Sequence, residues 1–392
     1  MREMSPPVTG PVAPVALPPA ARPRSTRDPR LDVLRGAALV TIFVNHVPGN
    51  FYESLTIRNW GFSDAAEAFV LMSGVSAGIA YGPAFRPGGD VWAGLARVWG
   101  RAWTLYLVHL LVTVAALAIA AGLALWADTP GLLSKDGIDA LFLQPLQTLV
   151  AVPLLVHQLG YANILPLYMV LLFTAPGLLW LGWRWPGFLL AGSLALWLLS
   201  GELRINVPTW PVAGGWQFSP TSWQILFLLG LLAGIRMREG RRLVPMSRWL
   251  IVACGAFLLL ALVWRTVPVV GDAMNHALWQ LDQAGLPWIL TAHQKVWETA
   301  PRLLHALALA YLLSAIPLVR RLCASRVAAP LALLGRHSLP VFALGSVIAF
   351  LFQGIKTRTG EDLLLDTLML AAGLALQLGL AWSKDNWPSR RG

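Results

Sequence analysis

The sequence predicts an all-α protein, a bundle of about ten helices that crosses a membrane repeatedly, and three observations lead there. Of its 392 residues, 56% are hydrophobic and 12% charged, against roughly 25% charged in an average soluble domain. The chain carries nineteen tryptophans, amphipathic side chains that collect at membrane interfaces. Apolar windows of spanning length recur along it, and arginine gathers at alternate ends of them.

Residues 1–30 hold eight prolines and no apolar periodicity, which predicts a disordered tail rather than a domain. The windows then fall near 32–48, 65–84, 102–126, 163–182, 187–200, 221–236, 249–268, 301–319, 329–352 and 363–383. The first is followed by Val47-Pro48-Gly49-Asn50 and lacks a small-residue cleavage site, so it reads as an uncleaved span. Segment 140–158 is apolar but interrupted by Pro145 and Pro153, which predicts a re-entrant or interfacial piece. The window at 187–200 is short and flanked by Trp185 and Trp197. The transmembrane domain is expected over 31–384, with 385–392 a short tail.

Charge fixes the expected orientation. Arg22, Arg24, Arg27 and Arg30 precede the first window; Arg86, Arg97 and Arg101 lie between the second and third. Arg184 follows, then Arg236, Arg238, Arg241, Arg242 and Arg248, then Arg320, Arg321 and Arg326. The intervening loops carry far fewer cations, so the positive-inside rule places both termini in the cytoplasm. The net charge of +11 is thereby accounted for as membrane topology. A nucleic-acid partner is not expected, because no soluble basic domain exists to bind one. Cys254 and Cys323 lie in or beside apolar windows and show no metal-ligand spacing, so neither a disulfide framework nor a metal is expected. Nucleotide-binding loops, GxSxG and HExxH are likewise missing.

Chemistry is expected where ionisable groups enter apolar segments, since a membrane span normally excludes them. In LRGAALVTIFVNH, ten residues separate Arg35 from His46. Eleven helical steps return the chain to nearly the same face and advance it about 16 Å. His46 is the candidate general base; a helix-end histidine wetted by solvent is the plainer reading. Asp64 and Glu67 open the next window in GFSDAAEAFVLMSG, spaced to share a face. They are candidates to orient the imidazole, and Asp64 equally suits a helix cap. Arg35 is a candidate anion binder or a cytoplasmic anchor. In LGRHSLPVFALGS, Arg336, His337 and Ser338 are candidates to bind the same anion, with a Pro340 kink as the alternative. His109 ranks lower, having no evident partner. Two external loops, near 201–220 and 269–300, are rich in tryptophan, and Trp279, Trp297 and His293 are candidates to bind a sugar ring.

RLDVLRGAALVTIFVNHVPGNF, TIRNWGFSDAAEAFVLMSG and LGRHSLPVFALGS together resemble the OpgC family of bacterial inner-membrane proteins. That family is similar in turn to the acyltransferase 3 group of membrane acyltransferases. The resemblance runs from residue 31 to about 384, and the group's basic residue, ten positions and histidine correspond to Arg35 and His46. It implies transfer of an acyl group, succinyl in OpgC proteins, from a cytosolic acyl-coenzyme A to hydroxyls of periplasmic glucans. Succinyl-CoA or acetyl-CoA would then be the cosubstrate, bound through Arg35, Arg336, His337 and Ser338. A glucan or other carbohydrate would be the acceptor, with lipids surrounding the bundle. A proton-coupled transporter is the alternative; it predicts inverted repeats, and none is visible.

Overall fold

The computed structural model describes residues 28–135 and 137–387, and these are almost entirely helical. In chain order the helices are α1 Pro29–Asn45, α2 Ala65–Phe85, α3 Val91–Trp126, α4 Asp139–Leu143, α5 Pro145–Ala151, α6 Ile164–Arg184, α7 Pro186–Glu202 and α8 Pro220–Arg238. There follow α9 Arg248–Thr266, α10 Pro268–Gln283, α11 Trp288–Thr291, α12 Ala300–Ala315, α13 Pro317–Cys323, α14 Ala329–Arg336, α15 Ser338–Thr359 and α16 Leu363–Asn386. A two-residue antiparallel pair, Pro208–Thr209 with Gly214–Gly215, ties the loop before α8. Most of the tail expected over 1–30, and residues 388–392, lie outside the described residues.

Every expected window is helical, with local corrections. Seven helices are long and apolar enough to cross a membrane, or eight if the bent pair α12–α13 is one span. This is a multi-pass membrane protein. By that measure the count falls short of ten, because α1 and α7 have 17 residues each. Pro317 divides the window at 301–319, and α12 and α13 meet at 78°. The window at 329–352 is also two helices, broken at His337, so Pro340 sits in the first turn of α15 rather than kinking a continuous span. The proline-interrupted stretch from 140 forms the short α4 and α5, joined at Gln144.

Two backbone contacts position the interior. α2 carries Gly74 and Gly78, and α8 carries Gly230 and Gly234, each pair spaced four residues apart. A methyl group on any of the four would overlap backbone of the facing helix. Small residues at this spacing let two apolar helices approach closely, which replaces the hydrophobic drive missing in lipid. The second contact is between α1 and α14. A methyl on Gly36 would overlap the Leu331 carbonyl, and one on Gly335 would overlap the Asp32 carbonyl. Arg35 and Arg336, the neighbours of those glycines, are thereby brought together from opposite ends of the chain.

Caps set the helix starts. Asp28 accepts from the Arg30 N–H at 3.0 Å and starts α1 at Pro29. Asp64 and Glu67 form a reciprocal capping box on α2: the Ala66 N–H donates to Asp64 at 2.7 Å, and the Asp64 N–H to Glu67 at 2.9 Å.

Candidate functional site

The α1–α14 contact opens onto a cavity of about 200 Å³ at the end where α1 begins. Arg35, Arg101 and Arg336 line it, with Ser76, Tyr81, Tyr168 and Ser338 among the polar groups and Phe69 and Phe342 among the apolar ones. Arg35 is buried; it donates to the Met72 carbonyl at 3.3 Å and to Ser76 Oγ, and Asp32 lies 4.0 Å away on the preceding turn. Arg336 is more open and donates to Asp385 at 2.7 Å. Of the four residues expected to share an anion site, Arg35, Arg336 and Ser338 line one cavity. His337 does not line it; its Nε2 lies 2.9 Å from the other Asp385 oxygen. Arg101 and Tyr81 are additions. From sequence Arg101 counts only toward topology, and Tyr81 is only part of the apolar window at 65–84.

His46 caps the far end of α1. Its N–H continues the helical ladder to Ile42 and Phe43, and its carbonyl accepts from Gln353 Nε2 at 2.7 Å. The imidazole packs 4.7 Å from the ring of Tyr161 and 6.5 Å from that of Phe342, centroid to centroid. Phe342 therefore belongs both to the cavity wall and to the surroundings of His46.

Beside this lies a cluster of five charged side chains. Lys295 Nζ donates to Asp64 at 2.5 Å; Arg302 donates to Glu67, lies 3.6 Å from Asp64, and approaches Glu298 at 3.8 Å. Glu67 and Glu298 are fully buried. Three carboxylates thus face two cations. Burial works against the charge of Asp64, but Lys295 and Arg302 outweigh it and hold its pKa below the usual carboxylate range. Burial, reinforced by Glu67, pushes Glu298 well above that range. The cluster balances if Glu298 keeps its proton.

No hydrogen bond from the imidazole to Asp64 or Glu67 is made among the described residues. Asp64 serves the Ala66 N–H and Lys295, and Glu67 serves the Asp64 N–H and Arg302. Asp64 and Lys295 are nonetheless the charged groups whose fields act on His46. Arg302, Glu298 and His305 were not singled out from sequence. The i,i+4 spacing of Glu298 and Arg302, and the i,i+3 spacing of Arg302 and His305, are the signals that point to them. His305 Nδ1 is 2.7 Å from Ser63 Oγ, which fixes the turn entering α2. His109 is buried on α3 with both ring nitrogens lacking a partner among the described residues.

At this same end, α9, α10 and α11 enclose a groove of about 540 Å³. Phe62, Trp264, Trp279, Trp288 and His293 supply aromatic rings; Arg265, Asp272, Asn275 and Asp282 supply polar groups. Burial, then Arg265 and Arg302, lower the pKa of His293. Two of the three expected sugar-binding residues, Trp279 and His293, line the groove. Trp297 does not. It stands behind Trp288, edge to face at 5.7 Å, and Arg204 lies 3.1 Å over the Trp288 ring. Among the described residues no group of three or more His, Cys, Asp or Glu is arranged to hold a metal ion.

No curated protein matches the chain. A family model described as OpgC protein matches residues 27–389, nearly its whole length. It covers the α1–α14 contact, His46, the charged cluster and the groove, and the chain belongs to the OpgC family.

Proposed function

We propose that this protein moves an acyl group, succinyl by family resemblance, from cytosolic acyl-coenzyme A to a hydroxyl of a periplasmic glucan, with His46 as general base. Family membership implies a transferase that modifies glucans; the donor, the acyl group and the base are our reading. Both termini lie in the cytoplasm of a bacterial inner-membrane protein, which puts the arginine cavity on the donor side and the aromatic groove on the acceptor side.

One observation carries the reading: Phe342 is shared between the cavity lined by Arg35, Arg101 and Arg336 and the surroundings of His46. Guanidinium groups suit the phosphates of coenzyme A. Arg35, Arg336 and Ser338 hold them from the residues expected, with Arg101 beside them, and His337 steadies Arg336 through their common partner Asp385. The thioester arm then reaches past Phe342. His46 takes the proton of the glucan hydroxyl while its oxygen bonds to the thioester carbonyl carbon; the C–S bond breaks, and the departing thiolate takes the proton back from the imidazolium. Asp64 favours that imidazolium by its charge, against the larger opposing field of Lys295, and Glu67 keeps Arg302 in place. On the acceptor side Trp279 and His293 meet the sugar, and Trp297 backs Trp288. No metal is needed for these steps.

Mass spectrometry of periplasmic glucans from cells carrying the wild type, His46→Ala or neither tests the reading. Acylation should appear with the wild type and fall by at least about 100-fold in the variant, the usual worth of a general base. Glucans acylated equally with His46→Ala would remove His46 from the chemistry. Glucans unaffected by loss of the whole protein would refute glucan acylation.

A further inference from the structure

The groove at the His46 end carries more than aromatic rings. Trp279 is 56% exposed, on α10, and its ring stacks on that of His276 at 5.4 Å and 24°, so one face is supported and the other is open. Trp264 is buried beside it, with its Nε1 donating to Asn275 Oδ1 at 3.0 Å. That bond fixes the Asn275 amide and leaves its NH₂ protons without a partner among the described residues. Asp272 and Asp282 line the same groove, and neither side chain makes a hydrogen bond or ion pair among the described residues. The groove thus offers flat apolar faces, two acceptor-only carboxylates and an amide donor, in a volume of about 540 Å³. That lies within the range of roughly 300–1,000 Å³ that bound organic molecules occupy.

This combination matches a sugar ring better than any other common ligand. The C–H faces of a pyranose pack on indole, and its vicinal hydroxyls donate to carboxylates and accept from an amide. The volume exceeds one ring and extends along α10, whose groove-lining residues run from Asp272 to Asp282. Two acids stand against the single lining cation Arg265, so a carboxylated sugar meets repulsion that a neutral one does not. Phe62, which lines the groove, lies two residues before Asp64, the carboxylate whose field reaches His46.

We infer that this groove binds the acceptor as a short run of uncharged glucose rings, stacked on the open face of Trp279 and hydrogen-bonded by Asp272, Asn275 and Asp282. The inference rests on the transfer reading for its biological meaning, but binding is measured without transfer. Titration calorimetry of the full-length protein in detergent micelles, with a linear glucose tetrasaccharide as probe, tests it.

Saturable binding is expected, weakened at least about tenfold by Trp279→Ala, largely restored by Trp279→Phe, and weakened similarly by Asp272→Asn combined with Asp282→Asn. A tetrasaccharide of glucuronic acid should bind more weakly than the glucose one, and the double Asn variant should narrow the gap. No binding, or equal binding to wild type and both groove variants, would overturn the assignment; tighter binding of the acidic sugar would overturn the choice of a neutral acceptor. If the glucose probe binds as expected while glucans in cells are never acylated, the groove stands and the transfer reading fails. If glucans are acylated equally by wild type and groove variants, transfer stands and the groove assignment fails.

Discussion

The imidazole of His46 and the phenol ring of Tyr161 pack with centroids 4.7 Å apart and planes tilted by 58°. Tyr161 holds this place from a left-handed backbone conformation, φ +64°, which costs a non-glycine residue energy and persists only where the surroundings impose it. The near neighbours of the imidazole in this place are the aromatic rings of Tyr161 and Phe342. Tyr161→Ala should lower kcat by about tenfold to a hundredfold by releasing the ring, and Tyr161→Phe, which keeps the ring, should lower it by less. Initial rates with purified protein and saturating donor check this. Equal rates for Phe and Ala would show that the contact does not position His46.

Arg101 is the strongest addition to the arginine-lined cavity, because it joins α3 to an arginine pair brought together by α1 and α14. A hydrogen bond to a charged group is worth about 1.5–3 kcal/mol, so Arg101→Ala and Arg35→Ala should each weaken coenzyme A binding roughly tenfold to a hundredfold. His337→Ala should have a smaller effect, since His337 reaches the cavity only through Asp385. Titration of coenzyme A into each purified variant measures the series, and an unchanged affinity for Arg35→Ala would return that residue to the role of anchor.

Glu298 gives stability a pH dependence of definite sign. Its folded-state pKa is raised by burial and by Glu67. Between the ordinary glutamate range and that raised value, the folded protein keeps a proton that the unfolded chain has released. Stability contributed by the protonated group is therefore complete below the ordinary range and declines as pH rises through the window. Glu298→Gln, which stays neutral, should flatten this decline. Thermal unfolding in micelles from mildly acidic to mildly alkaline pH gives the comparison, and identical slopes would assign the proton elsewhere in the cluster.

The glycine contacts make the α2–α8 pair intolerant of bulk. Gly234→Leu should destabilise the protein by about 3 kcal/mol, the upper part of the usual range for overpacking, or prevent its accumulation. Gly177→Ala, at a position with open space around it, should be tolerated. Expression level and melting temperature separate the two.

The apolar windows made the spans legible because lipid imposes long uninterrupted hydrophobic runs, and every window became helix. What hydropathy could not show was where a run breaks. His337 and Pro317 divide helices inside segments whose average composition is uniform. His46 and Arg35 were legible for the opposite reason: ionisable groups stand out against hydrocarbon. Lys295 and Glu298 stood in a loop and Arg302 at the very start of a window, where charge is unremarked, and only folding brings them against Asp64 and Glu67. The same holds for the groove. Trp279 was visible as an aromatic residue, but the carboxylates of Asp272 and Asp282 acquire meaning only from the space they share with it.

The bare backbone contact of α1 with α14 limits how the mouth of the arginine-lined cavity can adapt. With no side chain between Gly36 and the Leu331 carbonyl, or between Gly335 and the Asp32 carbonyl, the two helices have nothing to slide on and no room to close further. The spacing of the Arg35 and Arg336 backbones is thus set by main-chain contact, as in a fixed-jaw gauge. A relative adapted to a donor of different size would have to change the opposite wall, at Ser73, Tyr81 or Tyr168, and leave both glycines untouched.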